Sequence, residues 1–321
     1  MTFSKIDRPR RKLERKGILV APGDGYVPRG RGAPPPLGLT AVHDKPLICY
    51  MLSTLIDAGV TEIALVADGV ELRDYKAYFK DGARLGVELS YVRASQPGNG
   101  VAALTDAQAF LGGAPSVLAF ADAIISGSDF GAFLDRVAPG QRGAAAILAQ
   151  RHNDGSYSAG APSPSEPELD EIKQPEQGRL AGLYLLDARA PTFASWIERT
   201  DRPLRDLRAL LNLYLSAGEL AAPSLSFEHN WFRVTDAASL SAAGRFVAQN
   251  QGRLRALLGA PEVAALSRGL ITRRQFAAAA QRHLRTAGQE AYGQALRAYF
   301  DGATQGPAVE APPLKVSGQR G

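Results

Sequence analysis

Lys16-Gly17-Ile18-Leu19-Val20-Ala21 is a short apolar run that opens directly into a glycine-rich stretch, Pro22 to Gly32. Such a run reads as a buried strand followed by a loop. Pro34-Pro35-Pro36 then holds the chain extended, because proline fixes φ and biases its predecessor away from helix. Lys45-Pro46 opens a helix over Leu47–Asp57, with Pro46 in the first turn, where a missing N–H is tolerated. Gly59 closes that helix, and Glu62–Ala67 is a second apolar run. The alternation continues outward: helix Asp74–Phe79, strand Val87–Val92, helix Val101–Leu111, strand Ser116–Phe120, helix Phe130–Val137 and strand Ala144–Ala149. Strands and helices taking turns in this way predict an α/β fold, a mainly parallel sheet flanked by helices on both faces. Ligands of such sheets sit at the C-terminal ends of the strands.

The second half begins with a polar, proline-rich loop, His152 to Pro167. Leu180–Leu186 reads as a strand, Leu204–Ala217 as an amphipathic helix, and Ser224–Phe232 as a strand or strand pair. From Ala238 onward the pattern is helical: Ala238–Asn250, Leu254–Leu258, Glu262–Leu266, Arg273–Arg285 and Gln289–Phe300. Four segments follow: a basic flexible tail over 1–16, an α/β domain over 17–237, a C-terminal helical subdomain over 238–302, and a tail over 303–321. That last tail has little to bury and is expected to be disordered.

The chain has 321 residues, 45% hydrophobic and 21% charged, the balance of a globular protein rather than a low-complexity one. Its net charge of +5 is confined to residues 1–16, where seven basic groups face two acidic ones; the remainder carries 30 of each sign. The charge therefore describes a tail and not a surface, and no nucleic-acid partner is expected. No apolar run approaches the roughly 18 residues of a membrane span, and no secretory signal is expected. Cys49 is the sole cysteine, so no intrachain disulfide and no cysteine-built zinc site forms, and a reducing, cytoplasmic location is expected.

Gly17-Ile18-Leu19-Val20-Ala21-Pro22-Gly23-Asp24-Gly25, with His43-Asp44-Lys45-Pro46-Leu47-Ile48 about twenty residues later, resembles the opening of the sugar-1-phosphate nucleotidyltransferase family. The nearer likeness is to its glucose-1-phosphate thymidylyltransferase branch, which Asp44 to Val60 follows nearly residue for residue. Asn99-Gly100, the turn at Asp122, Gly182-Leu183-Tyr184, Asn230-Trp231 and Arg268-Gly269-Leu270-Ile271 continue the likeness in order, over about residues 17–300. The resemblance implies a nucleotidyltransferase (Rossmann-like) fold with a C-terminal helical subdomain. It also implies the family's reaction, attack of a sugar phosphate oxygen on the α-phosphorus of a nucleoside triphosphate with release of pyrophosphate. Such a reaction asks the protein to align two anions and neutralise spreading charge with Mg²⁺, arginine and lysine.

The positions that would do so are changed. The family's loop resembles G-G-x-G-T-R; here it reads Pro22-Gly23-Asp24-Gly25-Tyr26-Val27. Pro22 removes an N–H donor, Asp24 adds a carboxylate where phosphate would lie, and Val27 stands at the arginine position. The phosphate-binding lysine falls on Leu37. Of the metal pair, Asp122 matches the first aspartate, while the second falls on Arg233, which would exchange a metal bridge for an ion pair; a lone carboxylate is a poor Mg²⁺ site. The base-contacting glutamines fall on Ser95 and Ala103, with Gly100 retained. In the implied sugar site Glu171, Lys173 and Gly182 persist, and Ile172 replaces a second glutamate.

Readings of single residues stay open at this stage. Asp122 serves either as a cap after a strand or as a residual metal or ribose contact, and Lys173 either as a strand-edge lysine or as a phosphate contact. Lys45 is expected in a structural or surface role. Arg29 and Arg31, on the pliable stretch with Gly30 and Gly32, offer a shifted phosphate clamp beside Gly23 and Gly25. His43, His152, His229 and His283 show no metal-type spacing. The expectation is a nucleotidyltransferase-like protein of nucleotide-sugar metabolism, impaired in Mg²⁺-dependent transfer through a weakened Mg²⁺ site, acting by nucleotide-sugar or partner binding. An active enzyme with rebuilt phosphate contacts and an enzyme of different chemistry remain alternatives. The helices typical of the resembling branch imply a homo-oligomer, or a hetero-oligomer with an active paralogue.

Overall fold

The computed structural model describes residues 15–23, 35–126, 130–140, 142–149, 179–200, 206–225, 229–254 and 257–305. Its strands are β1 (Lys16–Val20), β2 (Ala41–Val42), β3 (Lys45–Pro46), β4 (Glu62–Ala67), β5 (Glu88–Arg93), β6 (Ser116–Phe120), β7 (Ala123–Ser126), β8 (Ala144–Ala149), β9 (Arg179–Leu186), β10 (Leu220–Ala221) and β11 (Asn230–Arg233). Its helices are α1 (Leu47–Asp57), α2 (Leu72–Phe79), α3 (Gly100–Asp106), α4 (Gln108–Leu111), α5 (Phe130–Val137), α6 (Ala190–Arg199), α7 (Leu207–Ser216), α8 (Ala237–Leu254), α9 (Pro261–Ser267), α10 (Arg273–Leu284) and α11 (Glu290–Gln305).

The main sheet has seven strands in the order β10-β8-β9-β6-β1-β4-β5. All neighbours are parallel except β9, which runs against both β6 and β8. β1 lies between β4 and β6, with Leu19 level with Leu65 and Ala119. Its residues alternate between two cores. Leu19 faces one with α1 and the C-terminal helices, and Ile18 and Val20 face the other with α3, α6 and α7. Burial on both faces is what a continuous apolar run satisfies. Outside the main sheet, β7 and β11 form a two-stranded antiparallel ribbon, and β2 and β3 another.

Several local expectations are corrected. Lys16 is not part of a flexible tail: it begins β1, with its ammonium 2.9 Å from Glu62 and 3.0 Å from the Phe110 carbonyl. Pro46 precedes α1 as its N-cap in extended backbone instead of lying in the first turn. The helix expected over Val101–Leu111 is broken at Ala107 into α3 and α4. Among the described residues α8 itself runs to Leu254 and residues 258–259 form a turn, while residues 255–256 of the helix expected over Leu254–Leu258 lie outside the described residues. At the other end α11 continues to Gln305, past the start of the expected disordered tail.

Strand β7 and helix α6 had no counterpart in the sequence reading. The ribbon is held by a third apolar cluster, in which Ile124 of β7 and Phe232 of β11 pack with Val42, Leu47, Tyr50, Ala243 and Val247. The helices after Ala237 share core with the sheet, since Ala264, Phe276, Tyr292 and Leu296 belong to the same cluster as Leu19 and Leu65.

Candidate functional site

The chain leaves the C-terminal end of β6 through Ala121-Asp122 and enters β7. Register in the ribbon sets Arg233 of β11 opposite Ala123, and the Val234 N–H donates to the Asp122 carbonyl at 2.8 Å. That backbone tie brings the two side chains together. Arg233 Nε and Nη2 both donate to Asp122 Oδ2, at 3.2 and 2.9 Å. The arginine side chain is 4% exposed and the aspartate 15%, so the pair is largely desolvated and its attraction is little screened. The guanidinium carbon lies 5.9 Å from the centre of the Phe120 ring, within cation–π range.

Gly182 lies beside the pair. It lies where β9 departs from regular pairing with β8, between the Tyr184–Ala146 and Leu180–Leu148 pairs, and takes φ = +76°. A side chain there would be strained in the left-handed region. Its Cβ would also stand 3.5 Å from Ala123, 3.6 Å from Phe120 and 4.0 Å from Arg233 Nη1. Next to it, Trp231 Nε1 donates to the Ala181 carbonyl at 3.1 Å, which fixes the ribbon against the irregular part of β9. Asp122, Gly182 and Arg233 therefore share one site. Burial and, after it, the Asp122 charge push the neighbouring Tyr184 phenol well above its ordinary range, so this hydroxyl stays protonated.

The glycines expected on the nucleotide side have packing reasons of their own. Gly23 leaves β1 close against the loop before α3, and a Cβ on it would stand 3.1 Å from the Pro97 carbonyl. Asn99 caps α3, its Oδ1 accepting from Val101 and Ala102 N–H at 2.9 and 3.2 Å. A Cβ on Gly100 would come within 3.0 Å of Phe120 and 3.2 Å of Leu118, so α3 requires glycine to approach β6. Phe120 thus touches both halves of the site, a role the sequence reading missed. The positions of the replaced glutamines are occupied structurally: Ser95 N–H and Oγ donate to Asp106 Oδ2 at 2.7 and 3.0 Å, and Ala103 is core. Leu37, at the family's lysine position, packs on the apolar cluster under the ribbon. Gly25, Val27, Arg29, Arg31, Glu171 and Lys173 lie outside the described residues.

Mg²⁺ prefers near-octahedral oxygen donors with a carboxylate free to bind. One oxygen of Asp122 already accepts two guanidinium hydrogen bonds, and Arg233 stands where the resemblance implies the second metal ligand. Among the described residues no group of three or more His, Cys, Asp or Glu side chains is placed to hold a metal. The side chains at this centre do not fit the ion that the resemblance implies.

A second polar cluster lies away from the strand ends. Lys45, expected structural or at the surface, is fully buried: its ammonium stands 2.5 Å from Asp44 Oδ1 and over the rings of Tyr50 and Tyr292, at 4.8 and 5.2 Å. Beside it Glu262 of α9 meets His283 Nε2 of α10 at 2.8 Å and accepts a short hydrogen bond from the Tyr292 hydroxyl of α11. His283 Nδ1 faces Gln289 at 2.6 Å. Burial works against both charges, but their contact outweighs it, holding the Glu262 carboxyl low and raising the His283 imidazole.

The family model described as Nucleotidyl transferase matches residues 17–250, well over half of the chain. The chain belongs to the nucleotidyl transferase family. The chain is 28% identical over 269 residues to glucose-1-phosphate thymidylyltransferase of Xanthomonas campestris pv. campestris, covering 82% of this chain and 90% of the relative. The thymidylyltransferase of Mycolicibacterium smegmatis is 29% identical over 299 residues, covering 89% and 99%. Among solved structures, a Bacillus anthracis protein provisionally described as a glucose-1-phosphate thymidylyltransferase, in complex with sucrose, superposes with a TM-score of 0.57 at 21% identity. That match covers 72% of this chain and 94% of the other and concerns the fold. UDP-glucose pyrophosphorylase from Acinetobacter baumanii superposes at 0.51 and 17% identity, covering 77% and 96%. No described helix is long and apolar enough to cross a membrane.

Proposed function

We propose that this nucleotidyl transferase family member binds a sugar nucleotide at the strand ends around Asp122, Gly182 and Arg233, and is impaired in the Mg²⁺-dependent nucleotidyl transfer of its relatives. The observation that carries this reading is the desolvated Asp122–Arg233 ion pair. Transfer of a nucleotidyl group needs positive charge that follows the triphosphate through the transition state. In this chain the cation opposite Asp122 is a side chain anchored by that aspartate, so it cannot move with a triphosphate as a bound ion does. A sugar nucleotide asks less, since a finished product needs to be held, not assembled. Gly100 lets the start of α3 pack closely on β6, and Gly182 beside the arginine carries no side chain to crowd a sugar at the strand ends. Lys173, Glu171, Arg29 and Arg31 belong to this reading as further anion and sugar contacts, with Gly23 and Gly25 on the entering loop. The protein acts through the bound sugar nucleotide in the cytoplasm, as a homo-oligomer or with an active paralogue.

The test pairs an activity with a binding measurement. Pyrophosphate release from dTTP and glucose 1-phosphate with Mg²⁺ is expected at least about a hundredfold below that of an active thymidylyltransferase, the scale on which losing one transition-state contact is felt. Calorimetric titration with dTDP-glucose is expected to show saturable binding. Turnover at the rate of the active relative would overturn the reading, and so would silence toward dTDP-glucose.

A further inference from the structure

We infer that Arg233 is a resident cation that takes the place of a divalent metal, so that the centre binds its anionic ligand without metal and excludes metal while the pair is intact. The inference deepens the reading above, and its metal arm stands whether or not a nucleotide binds. Three features of the site support it. Arg233 is positioned by the backbone: the register of β11 on β7 and the Val234 N–H to Asp122 carbonyl bond set its Cα beside the turn after β6. It is positioned by its surroundings as well, with Phe120 on one side and Gly182, which has no side chain to obstruct it, on another. And it saturates one oxygen of the carboxylate that would ligate a metal, with Nε and Nη2 both directed at Oδ2.

A metal meeting Asp122 at Oδ1, the oxygen the arginine leaves unpaired, would share a buried space with a guanidinium, a like charge at close range, and would compete for the carboxylate's charge with two charge-assisted hydrogen bonds. A phosphate-bearing ligand meets the opposite situation. The guanidinium is planar, permanently charged and suited to phosphate oxygens, so it supplies the positive charge that a metal otherwise brings. The ligand class is therefore a nucleoside diphosphate sugar or a similar diphosphate ester taken up without its metal, not the metal complex of a nucleoside triphosphate.

The experiment uses the full chain and Mn²⁺ as the probe, read by the loss of the free-ion electron paramagnetic resonance signal, with no nucleotide present. Wild type is expected to leave the signal unchanged. Arg233→Asp is expected to gain Mn²⁺ binding and a Mn²⁺-dependent rise in melting temperature, because an ion bound only by the folded state stabilises it. Should that variant fail to fold, Arg233→Asn is expected to show the same gain more weakly. Binding of Mn²⁺ by wild type that Asp122→Asn abolishes would overturn the inference, and so would a folded Arg233→Asp that gains nothing. In parallel, the affinity of wild type for dTDP-glucose is expected to differ by less than about twofold between Mg²⁺ and EDTA, since a ligand linked to no ion is insensitive to it. A strong requirement for Mg²⁺ would contradict the inference, whereas no binding in either buffer, with Mn²⁺ still excluded, would overturn the sugar-nucleotide reading alone.

Discussion

The centre at the strand ends and the seam between α1 and the C-terminal helices are both built from buried ionic side chains, yet they are organised differently. In the seam, Lys45 is fully buried and Glu262 nearly so, and each is surrounded by fixed partners: Asp44, Tyr50 and Tyr292 for the lysine, His283 and Tyr292 for the glutamate. Such a cluster ties four helices and a hairpin into one unit. At the centre a single pair joins the turn after β6 to the ribbon, and its aspartate keeps some exposure. The difference separates polar groups that fasten the fold from polar groups positioned at its open end. It also means that the two clusters respond differently to the same kind of change.

The largest effect is expected in the seam. Lys45→Ala removes a cation from the interior and leaves Asp44 buried without it, which costs about 3–5 kcal/mol for a broken buried pair; the midpoint of denaturant unfolding measures it. Asp122→Ala removes the carboxylate to which Arg233 donates, at a side chain 15% exposed against 6% for Asp44, so a loss at or below the lower end of that range, about 3 kcal/mol, is expected by the same measurement. Equal losses at the two sites would erase the distinction drawn between them. Gly182→Ala comes next, at about 1–2 kcal/mol for a side chain in the left-handed region, together with a displaced guanidinium and weaker binding of dTDP-glucose.

The smallest effect is that of pH on the seam. His283 has its imidazole raised by Glu262, so the stability it contributes is fully present below the ordinary histidine value of 6.5 and is lost as pH rises through its folded value. Glu262 is lowered, so its contribution is present above its ordinary value of 4.5 and is lost as pH falls through its folded value. Melting temperature is therefore expected to peak between these two pH values and to decline on either side. In His283→Gln the decline toward alkaline pH should flatten, while an unchanged profile would remove the histidine from the account.

Six of the seven strands of the main sheet were legible, β5 from its alternation and β1, β4, β6, β8 and β9 as short apolar runs, whereas the two-residue β10 was not. What was not legible depended on pairing across the chain. Nothing local marks β9 as antiparallel, and Ala123-Ile124-Ile125-Ser126 is too short to read as a strand until β11 lies beside it. Helix α6 did carry a signal, since Ala190, Ala194 and Ile197 recur at helical spacing and are buried together. Gly182 inside a strand pattern likewise signals the irregularity that the structure shows. The position of Arg233 opposite Asp122 came from the resemblance and not from any spacing. Lys45 is the clearest gap: its partners include Tyr292, far along the chain, and a lysine before a proline carries no mark of burial.

Titration of the purified full chain with dTDP-glucose, once with Mg²⁺ and once with EDTA, followed by dTTP with Mg²⁺, tests the central claim most directly. The account predicts saturable binding of the sugar nucleotide with the same affinity in both buffers, and weak or no binding of the triphosphate. Tight binding of dTTP that disappears when Mg²⁺ is removed would contradict it, because it would mean that a metal-dependent triphosphate site exists despite Arg233.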